Sequence, residues 1–222
     1  MTSPDTPPLQ SPASANRTRL FILIGVGLAL GLLLGWLTIG LFSGELRIGT
    51  YTFHGTAFEL PAPMGEFMLT DHHGNLASLS DFQGKVVLLY FGYTFCPDVC
   101  PTTLNELSIA MEKLSQEERD QVQVLMVSVD PQRDSPEVLA EYLAHFDPTF
   151  LGLTGTEEEI AAAAAVFGIF HQKQEGSVKT GYLVDHTASV VALNKEGALR
   201  VIYSFNTPGK EIAADLRRLV DE

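Results

Sequence analysis

Cys96 and Cys100 are the two cysteines of a 222-residue chain, and both lie in one hexapeptide, Cys96-Pro97-Asp98-Val99-Cys100-Pro101, directly after the apolar run Val86-Val87-Leu88-Leu89-Tyr90-Phe91. Cysteines that staple a small secreted fold are numerous and scattered. A pair four apart beside a strand end makes one disulfide, one dithiol or one metal site. If a helix starts at about Cys96, the two sulfurs share one face, about 6 Å apart along the axis. That spacing suits a disulfide, whose Cα atoms lie about 4.4 to 6.8 Å apart, and equally two thiolates gripping one soft ion. A helix N-terminus favours negative charge, which lowers thiol pKa values and supplies thiolate at neutral pH. Pro97 and Pro101 sit where a missing N–H does little harm, and they stiffen the loop.

The elements that must position this pair are legible around it. Residues 85–93 are a continuous apolar run, as expected of a strand inside a sheet covered on both faces. After it, Leu104, Leu107, Ala110, Met111 and Leu114 repeat with a helical period over residues 97–114. Ahead of it, residues 67–70 and 76–79 flank the turn Asp71-His72-His73-Gly74 and predict a hairpin. Residues 122–129 read as a second buried strand, and Ser135-Pro136 as the N-cap and first turn of a helix to about residue 146. A short strand at 150–153 precedes an Ala-rich helix that opens on the capping pair Thr156 and Glu159 and ends near Gly168. The last third holds strands at 181–184, 189–193 and 199–205, the last two joined by Asn194-Lys195-Glu196-Gly197. Thr207-Pro208 then caps an amphipathic helix to about Val220. Strands alternating with helices, closed by a hairpin and a helix, define an α/β domain with a mixed sheet.

The N-terminal part is different. Residues 1–19, rich in Pro, Ser and Thr, bury too little apolar surface to offset ordering entropy and read as a disordered tail. Residues 20–42 carry no charge, and at about 1.5 Å per residue they exceed the roughly 30 Å hydrocarbon core of a bilayer. A cleaved signal peptide has a shorter apolar core of about 7 to 15 residues and small residues at its exit, unlike Leu41-Phe42-Ser43-Gly44-Glu45. Residues 20–42 therefore read as an uncleaved anchor, residues 43–63 as a tether with room for a short edge strand, and residues 64–222 as the folded domain. Arg17 and Arg19 precede the apolar run, whereas Glu45 and Arg47 cancel after it, which keeps the N-terminus cytoplasmic and the domain outside. Thiols tend to be oxidised there. The tail lacks the amphipathic period of a mitochondrial presequence, so a bacterial inner membrane with the domain in the periplasm is expected. Gly27, Gly31 and Gly35 have the spacing that lets membrane helices approach, although glycine is common in such helices anyway.

Of 14 Lys and Arg and 27 Asp and Glu, three basic and two acidic residues precede position 50, leaving 11 against 25 in the remainder. Such a surface repels phosphate backbones and anionic headgroups, which excludes nucleic acid as a partner.

Five stretches, in order, carry a family resemblance: Gly65-Glu66-Phe67-Met68-Leu69-Thr70-Asp71; Gly84-Lys85; Tyr90-Phe91-Gly92-Tyr93-Thr94-Phe95 running into Cys96-Pro97-Asp98-Val99-Cys100-Pro101; Val127-Ser128-Val129-Asp130-Pro131-Gln132-Arg133-Asp134; and Val184-Asp185-His186-Thr187. Over about residues 64–205 the chain resembles the SCO/SenC family of thioredoxin-like copper proteins that assemble cytochrome c oxidase, in which a preceding membrane anchor is also usual. The resemblance implies a thioredoxin-like fold, a mixed sheet flanked by helices, with one copper bound by Cys96, Cys100 and His186. It further implies a metallochaperone for the dinuclear copper centre of the oxidase. Its partners would be the copper-bearing oxidase subunit, a copper donor protein and a thiol reductant. Where the family often has Tyr and Leu after the V-D-H-T segment, this chain has Val190-Val191-Ala192-Leu193, a departure that bears on packing more than on ligands.

The donor chemistry agrees with that implication. Thiolates select Cu(I), and an added imidazole gives a mixed set that also holds Cu(II), whereas a closed structural zinc site needs four protein ligands. Alone, a histidine near a strand end is ordinarily a hydrogen-bonded structural group; the motif is what singles out His186. Asp185 and Asp98 are weaker candidates, the first to orient the ring and the second to adjust charge near the sulfurs. His54, His72, His73, His145 and His171, with Met64, Met68, Met111 and Met126, read as structural.

The competing function is a thiol-disulfide oxidoreductase, with Cys96 attacking and Cys100 resolving. Against it, the spacing is C-x3-C where thioredoxins have C-x2-C, and residues 181–193 contain no proline. A thiol peroxidase lacks its usual Thr, since Tyr93 and Pro97 stand three residues before the two cysteines. The two main roles are compatible, because oxidation to a disulfide would switch copper binding off.

Overall fold

The computed structural model describes residues 13–42, 51–175 and 181–222 of the chain. It divides into two compact units, Met1–Thr52 and Phe53–Glu222. In the first, helix α1 (Ala13–Phe42) contains an 18-residue stretch, Phe21–Thr38, of mean hydropathy 2.3, long and apolar enough to cross a membrane. The helix starts several residues before the expected apolar boundary at residue 20, within the stretch read as a disordered tail. Extending a helix that already exists needs no new nucleus, and Ala13, Ala15 and Arg17 are compatible with it. The remaining tail, residues 1–12, and tether residues 43–50 lie outside the described residues.

In the second unit the strands β1 (Thr56–Pro63), β2 (Met68–Asp71), β3 (Leu76–Ser78), β4 (Val86–Gly92), β5 (Val122–Ser128), β6 (Leu151–Thr154), β9 (Val190–Leu193) and β10 (Ala198–Tyr203) form one sheet in the order β1-β10-β9-β4-β5-β6-β2-β3. Strands β4, β5 and β6 run parallel, and all other pairings in the sheet are antiparallel. A separate ribbon pairs β7 (His171–Glu175) with β8 (Tyr182–His186). The helices are α2 (Val99–Glu112), α3 (Gln116–Asp120), α4 (Pro136–Leu143), α5 (Glu157–Val166) and α6 (Gly209–Val220).

Every residue of β4 is buried, as its unbroken apolar run requires of a strand with helices on both faces. Leu104, Leu107, Ala110 and Met111 of α2 all join that core. Two expected caps form: the Ser135 hydroxyl accepts from the Val138 N–H, and Thr156 exchanges bonds reciprocally with Glu159. Helix α6 differs. Thr207 donates to the Ser204 carbonyl instead of capping it, and the Gly209 N–H donates to the Glu106 carboxylate of α2 at 2.5 Å. Glycine is needed there because a Cβ would lie 2.3 Å from the Glu106 carbonyl oxygen.

The folded unit also begins earlier than residue 64. Strand β1 pairs along β10 at the sheet edge, in the segment read as a tether. Its two prolines and its bulge between Ala57 and Ala62 hide the strand period in the sequence.

Candidate metal centre

The pair of cysteines sits where β4 ends and α2 begins, outside the carboxyl ends of the parallel strands, the position at which open α/β sheets bind ligands. Helix α2 starts at Val99 rather than at Cys96, so only Cys100 is helical. Cys96 occupies the turn before it, and its sulfur accepts from the Cys100 N–H at 3.4 Å, standing in for the cap that the Asp98 side chain does not supply. Cys100 is buried. Gly92 makes room for it: a Cβ there would lie 2.7 Å from the Tyr90 ring and 3.1 Å from the Cys100 sulfur.

His186 ends β8 and brings its Nε2 to 3.3 Å from the Cys100 sulfur. Its Nδ1 lies 3.1 Å from the Thr187 carbonyl, which can only accept, so the proton resides on Nδ1 and the Nε2 lone pair faces the sulfurs. Tyr93 and Tyr90 present themselves edge-on to the imidazole, with centroids 5.8 and 6.0 Å away. The ligand atoms of Cys96, Cys100 and His186 all lie within 4.8 Å of one another, the single such cluster of three among the described residues.

Both cysteines carry free thiols but are electrostatically unequal. The Cys96 thiol is lowered from 9.0 to about 3, first by the hydrogen bond from Cys100 and then by the Asp98 and Cys100 N–H groups. Cys100 moves up, because it holds the shared proton for Cys96 and because it is buried. The pair therefore keeps one thiolate, on Cys96, and one proton on Cys100, between two acceptors.

A polar brace that sequence reasoning used only as a motif holds these parts together. Buried Asp134, after β5, accepts from the Thr94 N–H at 3.0 Å and from the hydroxyls of Thr94 and Ser128, each at 2.6 Å. Its pKa is raised by burial, against the pull of those donors. Buried Asp130 pairs with Arg133 and accepts from the Tyr182 hydroxyl at 2.6 Å. The Arg133 guanidinium lies 3.8 Å over the Tyr182 ring, donates to the Tyr182 carbonyl at 3.1 Å and faces the Phe95 ring at 4.9 Å. The loop before Cys96 and the strand ending in His186 thus share one anchor. Its signal in the sequence was two aspartates and an arginine directly after a buried strand, where unpaired charge is costly.

The side-chain roles expected of Asp185 and Asp98 are corrected, whereas the histidines and methionines named below stay outside the cluster. The Asp185 carboxylate is exposed and the ring is oriented by the Thr187 carbonyl instead; alternation along β8 turns residues 185 and 186 to opposite faces. Asp98 acts on Cys96 through its backbone N–H. His54 bonds Asp215 at 2.8 Å, and the Nε2 atoms of His72 and His73 lie 3.1 Å apart, all away from the cluster. Met111 and Met126 are core residues, and Met68 is exposed.

A dithiol and an imidazole converging at the end of the central strand of a thioredoxin-like sheet define a soft-metal or redox site. The chain belongs to the SCO1/SenC family, whose model matches residues 57–221. Protein sco1 of Schizosaccharomyces pombe is 38% identical over 151 residues, which cover 67% of this chain and 57% of that protein, so the chain spans little over half of that relative's length. The solution structure of apo Sco1 from Thermus thermophilus is 47% identical with a TM-score of 0.70, covering 77% of this chain and 99% of that one. ScoI from Bradyrhizobium japonicum, solved with copper bound, is 36% identical with a TM-score of 0.65, covering 71% and 99%. BsSco, described as a member of the Sco family of cytochrome c oxidase assembly proteins with a disulfide switch, is 25% identical with a TM-score of 0.58, covering 74% and 98%.

Proposed function

We propose that this chain is a membrane-anchored copper metallochaperone that binds one copper through Cys96, Cys100 and His186 and serves assembly of the dinuclear copper centre of cytochrome c oxidase. The observation that carries the reading is the convergence of two sulfurs and the Nε2 lone pair within 4.8 Å. The donor set fits copper: two sulfurs and one nitrogen satisfy Cu(I) at low coordination and still hold Cu(II). Incoming Cu(I) meets the half-exposed Cys96 thiolate first, and ligation by Cys100 releases its proton to solvent. Helix α1 serves as the anchor, with the C-terminal domain on the periplasmic side of a bacterial inner membrane. Its partners are the copper-bearing oxidase subunit, a copper donor and a thiol reductant.

A second reading rests on the inequality of the two thiols. A half-exposed, low-pKa Cys96 beside a protonated Cys100 matches an attacking and a resolving thiol. In that exchange the two thiols become a disulfide and a partner's disulfide takes up the two electrons and two protons. The same pair would then alternate between copper binding and reductase work.

Anaerobic copper titration of the reduced full chain in detergent separates them. One copper per chain is expected, lost in Cys96→Ser and Cys100→Ser, with His186→Ala weakening Cu(II) more than Cu(I). Failure to compete with a weak Cu(I) chelator would overturn the chaperone; metal-independent turnover of disulfides with harmless His186→Ala would establish the reductase.

A further inference from the structure

His171 lies directly across the β7–β8 ribbon from His186. The Thr187 N–H donates to the Phe170 carbonyl at 2.9 Å, the bond that joins the residue after His186 to the residue before His171. That pattern makes His171 and His186 a non-hydrogen-bonded pair, the closer of the two antiparallel types, with Cα atoms about 4.5 Å apart and side chains on one face. His171 therefore lies on the face of the ribbon from which His186 reaches Cys100. Thr187 fixes both partners: its carbonyl orients the His186 ring, and its hydroxyl accepts from the Phe170 N–H at 3.1 Å, holding the start of β7 in register.

Resting on the copper reading above, we propose that His171 is a second imidazole ligand, which joins Cys96, Cys100 and His186 around Cu(II) as a set of two sulfurs and two nitrogens. Three ligands suit Cu(I), but Cu(II) prefers four in a tetragonal arrangement, so a fourth donor is worth more to the oxidised ion. The His171 ring is half-buried and lines an open cleft of about 430 Å³ with Val129, Glu157, Ile160 and Lys173. It therefore has room to turn about its Cα–Cβ bond toward the sulfurs, and it lies outside the three-residue cluster until it does.

Pulsed electron paramagnetic resonance on the Cu(II)-loaded full chain in detergent counts the bound imidazoles from their remote-nitrogen modulation. Two are expected in the unmodified chain and one in His171→Ala, with His145→Ala as the control that leaves both. Cu(II) affinity should fall in His171→Ala by at least the roughly tenfold that losing even an outer partner of a metal site brings, while Cu(I) affinity changes much less. A single imidazole in the unmodified chain, with thiolate-to-copper charge transfer intact, overturns this ligand and leaves the copper site standing. Absence of the charge-transfer band overturns both. Because the unmodified chain itself gives the count, a misfolded variant does not decide the matter.

Discussion

The difference between Cys96 and Cys100 follows from one proton shared under unequal burial. Cys96 collects hydrogen bonds at a helix start that has no side-chain cap, while Cys100 is enclosed by Gly92 and Tyr90. Iodoacetamide should therefore modify Cys96 of the reduced, metal-free chain at a rate nearly flat between about pH 5 and 8, because the thiolate is already formed. An ordinary thiol would quicken about tenfold per pH unit over that range, and mass spectrometry of the labelled peptide showing such a rise would sink the assignment. Gly92→Ala should displace the Cys100 sulfur, destabilise the domain by about 1 to 3 kcal/mol and weaken copper binding, measured by urea unfolding and chelator competition. At this scale the sequence was informative for the sulfurs, whose concentration in one hexapeptide left few chemistries open. The unequal roles of an attacking Cys96 and a resolving Cys100 were also readable, but their physical cause depends on where α2 starts, a matter of three residues that helical periodicity cannot resolve. His186 was legible only through its motif, since strand register is what carries it to Cys100.

Among the elements, the brace formed by residues 128–134 decides whether the cysteine loop and the His186 strand stay aligned. Asp134→Ala leaves the Thr94 N–H and the hydroxyls of Thr94 and buried Ser128 without their acceptor and should destabilise the domain by about 2 to 4 kcal/mol. Asp134→Asn retains an acceptor oxygen and no longer buries a charge, so its loss should be clearly smaller, and its copper affinity closer to the parent's. Equal unfolding midpoints for the two variants would refute the account of the brace. The strongly periodic elements around it were readable: β4 and β5 as apolar runs, α2 from its core stripe, α4 and α5 from their caps. Strands β1 and β7 were not. The first is a proline-bearing, bulged edge, and the second, His-Gln-Lys-Gln-Glu, is polar and exposed at four of five positions, so neither presents a buried face for a period of two to mark. The polar ribbon was missed for the same reason that it matters, because it works at the surface, where it carries His171 and His186.

For the whole molecule the question is on which side of a membrane this chemistry takes place. A dithiol that must be reduced to bind copper gains a regulatory meaning only in an oxidising compartment, where a reductant has to restore it. The proposed topology rests on two arginines before the apolar stretch of α1 against a cancelling pair after it; the remainder of the chain carries 11 basic and 25 acidic residues, and acidic residues hinder translocation little. An alkaline phosphatase fused after Glu222 should be active in intact bacteria, since it folds with disulfides outside the cytoplasm. The full-length fusion should also stay in the pellet after alkaline carbonate extraction, because no part of the apolar stretch Phe21–Thr38 is buried in protein and it is long enough to be held by lipid. Exchanging Arg17 and Arg19 for Glu should lower phosphatase activity by removing the charge bias that keeps the N-terminus inside. An inactive fusion would place Cys96 and Cys100 in the reducing cytoplasm and remove the need for a redox switch. An active fusion released by carbonate, and shortened at its N-terminus, would instead mean that α1 is cleaved and that the copper domain works free of the membrane.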